Sequence, residues 1–134
     1  MIKGLAHLCF VVRDLAGAEA FYRDVLGFET AFDFVDDKGK RFGVYLKIGG
    51  RNFIELFEGK GAKPREGLGY HHLCLETDDI EATARQLREK GVEVSEPKFM
   101  EADGSFQAWL ADGEGNKIEL HQYTDKSKQT PWLS

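Results

Sequence analysis

The stretch AHLCFVVRDL, Ala6–Leu15, returns as HHLCLETDDI, His71–Ile80. In both, His-Leu-Cys leads into apolar residues and then to an acidic residue of the kind that opens a helix. Self-similarity at a fixed offset marks a duplicated unit. The far ends keep step as well, FIELF at Phe53–Phe57 answering KIELH at Lys117–His121. His7 and His72 are 65 residues apart, and Glu55 and Glu119 are 64 apart, so two landmarks share one offset to within a residue.

Outward from these landmarks the element order is the same in both halves. Leu5–Val12 reads as a strand, and Asp14 caps a helix with Leu15, Ala18, Tyr22 and Val25 or Leu26 on one face, ended by Gly27. Glu29–Val35, Arg41–Ile48 and Asn52–Glu58 read as strands, separated by turns at Asp36–Gly39 and Gly49–Asn52. In the second half Tyr70–Thr77 reads as a strand. Asp78 is expected to open a helix, with Glu81 in the capping-box place, Ile80, Ala84 and Leu87 on one face, and Gly91 as the stop. Val92–Met100, Phe106–Ala111 and Lys117–Tyr123 follow as strands, joined by turns at Ala102–Ser105 and Asp112–Asn116. The expected fold is α+β, one domain over residues 1–134 made of two β-α-β-β-β modules, 2–58 and 70–123. A glycine-rich linker, 59–69, joins them. The tail, 124–134, is polar except for Trp132 and Leu133, which could dock on a second subunit.

Composition bounds the function. A chain of 134 residues with 42% apolar content can build one core. A formal charge of −5, with no basic and aromatic interleaving, argues against nucleic acid or an anionic membrane surface as partner. No apolar run approaches the roughly 20 residues of a membrane span. The first residues turn strand-like too early to read as a signal peptide, and Cys9 and Cys74 are the only cysteines. The expectation is a cytoplasmic protein acting on a small molecule.

Strand alternation sorts the side chains into two faces. Leu8, Phe10 and Val12 oppose His7, Cys9 and Val11; Ile54 and Leu56 oppose Phe53, Glu55 and Phe57. In the second module Leu73 and Leu75 oppose His72 and Cys74, and Ile118 and Leu120 oppose Glu119 and His121. Each module thus has an aliphatic face for its helix. The other face carries one histidine and one carboxylate among apolar neighbours. An unpaired carboxylate there costs several kcal/mol, which a divalent cation would offset. His7, Glu55, His72 and Glu119 make an N/O set suited to nickel, zinc, cobalt, iron or manganese, with two adjacent positions left on a six-coordinate ion. His71 is the rival to His72, and parity sends it to the opposite face. Cys9 and Cys74 read as small core fillers, Glu58 and Glu76 as solvated or rim residues. Phe53, Phe57 and His121 flank the two carboxylates on the same face and are candidate substrate contacts.

The paired modules and this His–Glu–His–Glu set, together with DLAGAEAFYRDVLGF at Asp14–Phe28 and DGEGNKIEL at Asp112–Leu120, resemble the vicinal oxygen chelate superfamily. That group includes glyoxalase I, methylmalonyl-CoA epimerase, extradiol dioxygenases and the bleomycin and fosfomycin resistance proteins. The resemblance implies a half-open barrel around one divalent metal ion, a homodimer, and a lyase or isomerase of the glyoxalase I type. Glu119 and Glu55 would carry a proton between adjacent carbons of a hydroxy-carbonyl substrate, through a metal-bound enediolate. Val11 stands where bacterial glyoxalases usually place an arginine for glutathione, and Phe57-Glu58-Gly59 offers no asparagine, which argues against glutathione as cosubstrate. The alternatives are an epimerase-like racemase, an extradiol-type dioxygenase using His7, His72 and Glu119, and a metal-free antibiotic-sequestering protein walled by Phe53, Phe57, Trp109 and Tyr123.

Overall fold

The computed structural model describes residues 5–59 and 70–133. The chain divides into two compact units, Met1–Gly67 and Leu68–Ser134, each an α+β module around its own open four-stranded sheet. Within the 59–69 stretch read as a linker, only Gly59 lies among the described residues.

The first unit runs β1 (His7–Val12), α1 (Leu15–Ala20), β2 (Glu29–Val35), β3 (Arg41–Gly49) and β4 (Asn52–Glu58). Its strand order is β1-β4-β3-β2, with β1 parallel to β4 and the other pairs antiparallel. The Asp14 carboxylate accepts from the Gly17 amide at 3.0 Å, so the helix starts where a short acidic side chain can satisfy a free N–H. After Ala20 the helix widens to a π turn over Phe21–Val25, and Gly27 ends it at φ +80°, in the left-handed region. Leu15, Ala18 and Tyr22 are buried with Val44 and Leu46 and with Phe10, Ile54 and Leu56, the last three on the aliphatic face read from the alternation. Glu19 is buried with them and is paired to Arg23 at 3.0 Å and to Arg41, tying α1 to the start of β3.

The second unit runs β5 (His72–Glu76), α2 (Ile80–Glu89), β6 (Lys98–Met100), β7 (Ser105–Ala111) and β8 (Lys117–Gln122), in the order β5-β8-β7-β6 with β5 parallel to β8. Ile80, Ala84 and Leu87 of α2 are buried with Leu73, Ala108, Leu110, Ile118 and Leu120.

Two expectations are corrected here. The helix cap is Asp79, whose carboxylate accepts from the Ala82 amide at 2.9 Å, and not Asp78. The strand expected over Val92–Met100 forms only at Lys98–Met100. Arg88 reaches from α2 to the carbonyls of Val94 (2.9 Å) and Ser95 (3.1 Å), and Pro97 has no N–H to donate, which interrupts regular pairing ahead of Lys98. The segment is pinned to β7 instead by Ser95 N–H to the Trp109 carbonyl and Trp109 N–H to the Ser95 hydroxyl.

The start of the tail is part of this module. The Thr124 and Ser127 hydroxyls donate to the Gly104 carbonyl, and the Gln129 side-chain amide donates to Asp103 at 3.1 Å. Gly104 has φ +77°, and a Cβ there would lie 2.3 Å from the Lys126 carbonyl oxygen, so no other residue fits. Trp132 is 85% exposed and Leu133 is exposed as well.

The capping assignment is checked by urea denaturation. Asp79→Ala should lower stability by about 1 kcal/mol, while Asp78→Ala should change it by less than about 0.5 kcal/mol.

Candidate metal centre

Each module brings its histidine to its glutamate. In the first, β1 and β4 pair with His7 opposite Phe53 and Cys9 opposite Glu55, so the imidazole and the carboxylate are diagonal neighbours on one face. His7 Nε2 lies 3.1 Å from Glu55 Oε1. In the second, Cys74 is opposite Glu119 by the same register, and His72 Nε2 lies 3.0 Å from Glu119 Oε2.

These spacings suit the donor set. Two donors about 2.1 Å from a common ion and at right angles lie about 3.0 Å apart. Both histidines also have the second ring nitrogen engaged, which frees Nε2 for a cation. His7 Nδ1 is 3.0 Å from the Tyr45 hydroxyl. His72 Nδ1 is 2.7 Å from His71 Nδ1, and Trp109 stands edge-on to the His72 ring at 4.9 Å. His71 therefore does not turn to the opposite face from His72. His71 precedes the strand, where alternation no longer applies, and its ring turns to meet His72.

The two carboxylates have different neighbours. Glu55 has Phe57 two residues on, while Glu119 has His121 at the matching place. His121 is 8% exposed and its Nδ1 is 3.2 Å from Glu119 Oε1. Its Nε2 has no hydrogen-bond partner among the described residues, and the Asp103 carboxylate is 3.9 Å away. Asp103 is held in turn by Gln129 and the Ser105 amide; these bonds and the nearby His121 keep its carboxyl below the usual range. Glu119 itself is buried at 8% exposure.

The cysteines are not core fillers, since both keep open surface on the site face. Their sulfurs nonetheless sit low among neighbours. Partial burial first, and then the adjoining glutamate, push the Cys9 thiol up to about 11 and the Cys74 thiol up to about 12. Cys74, Glu119 and His121 bring their ligand atoms within 4.8 Å of one another.

Much of the face that carries Glu55 is aromatic. Tyr45 stacks between Phe32 (4.8 Å) and Phe53 (5.1 Å), and Phe34 joins Tyr45 to Phe57. Gly43 makes this possible, because a Cβ there would sit 2.5 Å from the Phe57 ring. Phe53 and Phe57 thus lie among rings, with Phe32 half exposed at the margin. Glu76 is exposed and Glu58 partly so. Tyr45 and Asp103 escaped the sequence reading, and His71 was read there only as a rival ligand. Tyr45 and Trp109 share the 64-residue offset of the two glutamates and could have been found by it.

Known proteins give this arrangement its context. A Staphylococcus haemolyticus protein described as metallothiol transferase FosB is 27% identical over 125 residues, covering 90% of this chain and 84% of its own. A probable lactoylglutathione lyase from Synechocystis sp. is 32% identical over 127 residues, covering 91% and 97%. The crystal structure of TnmS3, an antibiotic binding protein from Streptomyces sp. CB03234, superposes with a TM-score of 0.74 at 28% identity, over 92% of this chain and 98% of that one. A family model described as Glyoxalase/Bleomycin resistance protein/Dioxygenase superfamily matches residues 4–120, nearly the whole chain. With the duplicated modules and a paired histidine and glutamate in each, the chain belongs to that superfamily.

Proposed function

We propose that the chain is a metal-dependent lyase or isomerase of the glyoxalase I type, with His7, Glu55, His72 and Glu119 serving one divalent cation. The observation that carries this reading is the repetition of one His–Glu pair, at 3.1 and 3.0 Å, on the same face of both modules. A carboxylate largely withdrawn from water beside an imidazole is a costly feature to repeat without a cation to hold. Bound there, the ion supplies Lewis acidity to a substrate with two neighbouring oxygens. The residues supply the rest. Tyr45 and His71 orient the imidazoles through Nδ1. A glutamate takes the carbon-bound proton on its carboxylate oxygen and returns it to the adjacent carbon. Phe53 and Phe57 offer ring faces to the substrate, while His121 is turned to Glu119.

The thiols take no part as nucleophiles. A thiol reacts as its thiolate, and both are held well above their ordinary range. The aromatic face of the first module favours a second reading, in which the protein binds a planar compound without turning it over. The similarity to an antibiotic binding protein adds weight to it.

Metal analysis and solvent-deuterium exchange separate the two. The lyase or isomerase reading expects one divalent cation at the four-residue centre, weaker binding in His72→Ala, and wash-in of deuterium into hydroxy-carbonyl compounds that needs the metal. Glu119→Gln should abolish that exchange. Tight binding of a planar compound by the metal-free protein, with no exchange, would establish the second reading instead. For the thiols, alkylation of the metal-free protein should climb with pH up to about 11 for Cys9 and about 12 for Cys74. At neutral pH the thiolate fraction of Cys9 should be on the order of a hundredfold below that of the urea-unfolded chain. Mass spectrometry of the labelled peptides reads this directly.

A further inference from the structure

We propose that the second module carries a cation seat of its own, formed by Cys74 Sγ, Glu119 Oε1 and His121 Nδ1. It goes beyond the shared His–Glu centre and has only Glu119 in common with it.

The two oxygens of Glu119 are already divided. Oε2 faces His72 at 3.0 Å, and Oε1 faces His121 at 3.2 Å. A carboxylate so placed can serve one ion through each oxygen. Cys74 is the cross-strand partner of Glu119, and the three ligand atoms lie within 4.8 Å of one another. One sulfur, one nitrogen and one oxygen suit a borderline thiophilic ion such as zinc, cobalt or cadmium, with a fourth position open to water.

The orphaned nitrogen of His121 is the independent sign. His121 Nε2 is buried with no hydrogen-bond partner among the described residues, and the Asp103 carboxylate lies 3.9 Å from it. A cation on Nδ1 changes this. The ring proton then sits on Nε2 and points at the Asp103 carboxylate, the outer partner that a ligand histidine ordinarily has. Asp103 is held in position for this by the Gln129 amide and the Ser105 N–H. Binding is balanced by loss of the Cys74 sulfhydryl proton to solvent, one proton for each cation. The first module has no counterpart, because Phe57 stands where His121 would be.

Cobalt titration of the metal-free full-length protein tests the seat. A thiolate-to-cobalt charge-transfer band should appear. It should vanish in Cys74→Ser, persist in Cys9→Ser and His7→Ala, and require at least tenfold more cobalt in His121→Gln. Zinc should protect Cys74 of the wild-type chain from alkylation at least tenfold while leaving Cys9 unprotected, a measurement that needs no variant to fold. Cobalt or zinc binding with no thiolate band and no protection overturns the proposal, and so does a band that depends on Cys9. If that cation is also lost in His7→Ala, the shared His–Glu centre stands while the seat falls. A single cation with a Cys74 band, unaffected by His7→Ala or Glu55→Gln, leaves the seat standing and removes the shared centre. An imidazolium bridging Asp103 and Glu119 without metal would give neither band nor protection.

Discussion

Everything at the site depends on the parallel pairing of the first and last strands within each module. The helix-covered face of each sheet is apolar, and period-two alternation sends what remains to the other side. Pairing β1 with β4 and β5 with β8 then sets the histidine and the glutamate diagonally across one ladder. A slip of one residue in either strand would send one of the pair into the aliphatic core. The apolar packing of Ile54 and Leu56, or of Ile118 and Leu120, is thus what holds the carboxylates to the site face. Core burial and site geometry are the same constraint seen from two sides of a sheet.

Duplication did not make the halves equal. The first module surrounds its glutamate with rings, and Gly43 gives up a side chain so that Phe57 can lie flat against the sheet. The second keeps one ring, Trp109, across from its glutamate and adds polar groups, a buried histidine backed by an aspartate and a thiol opposite. The glutamates match in register yet differ in environment. One repeated unit thus yields two unlike carboxylates through a change of the residue two places along.

Much of this was legible in the sequence because it follows from periodicity and repetition. The element order, the aliphatic faces and the His–Glu pair within each module rest on alternation and a shared offset, which are local properties. What escaped rests on contacts between distant residues. Asp103 lies in a turn with nothing local to mark it, and it meets His121 only through the fold. The strand expected from Val92 was lost to Arg88, which takes carbonyls the ladder would have used. The helix cap moved by one residue because Asp78 and Asp79 are equally good caps by type, and backbone direction chose between them. His71 was misplaced because alternation was carried one residue past the end of the strand.

The polar start of the tail has a consequence for how the second module can be altered. Lys128 donates its amide to the Asp103 carbonyl, Gln129 holds the Asp103 side chain, and Thr124 and Ser127 close over Gly104. A cut after Tyr123 would keep every strand and still leave the aspartate that stands behind His121 to the Ser105 amide alone. The chain end, far from the paired motifs in sequence, therefore belongs to the polar surroundings of the second module's His–Glu pair.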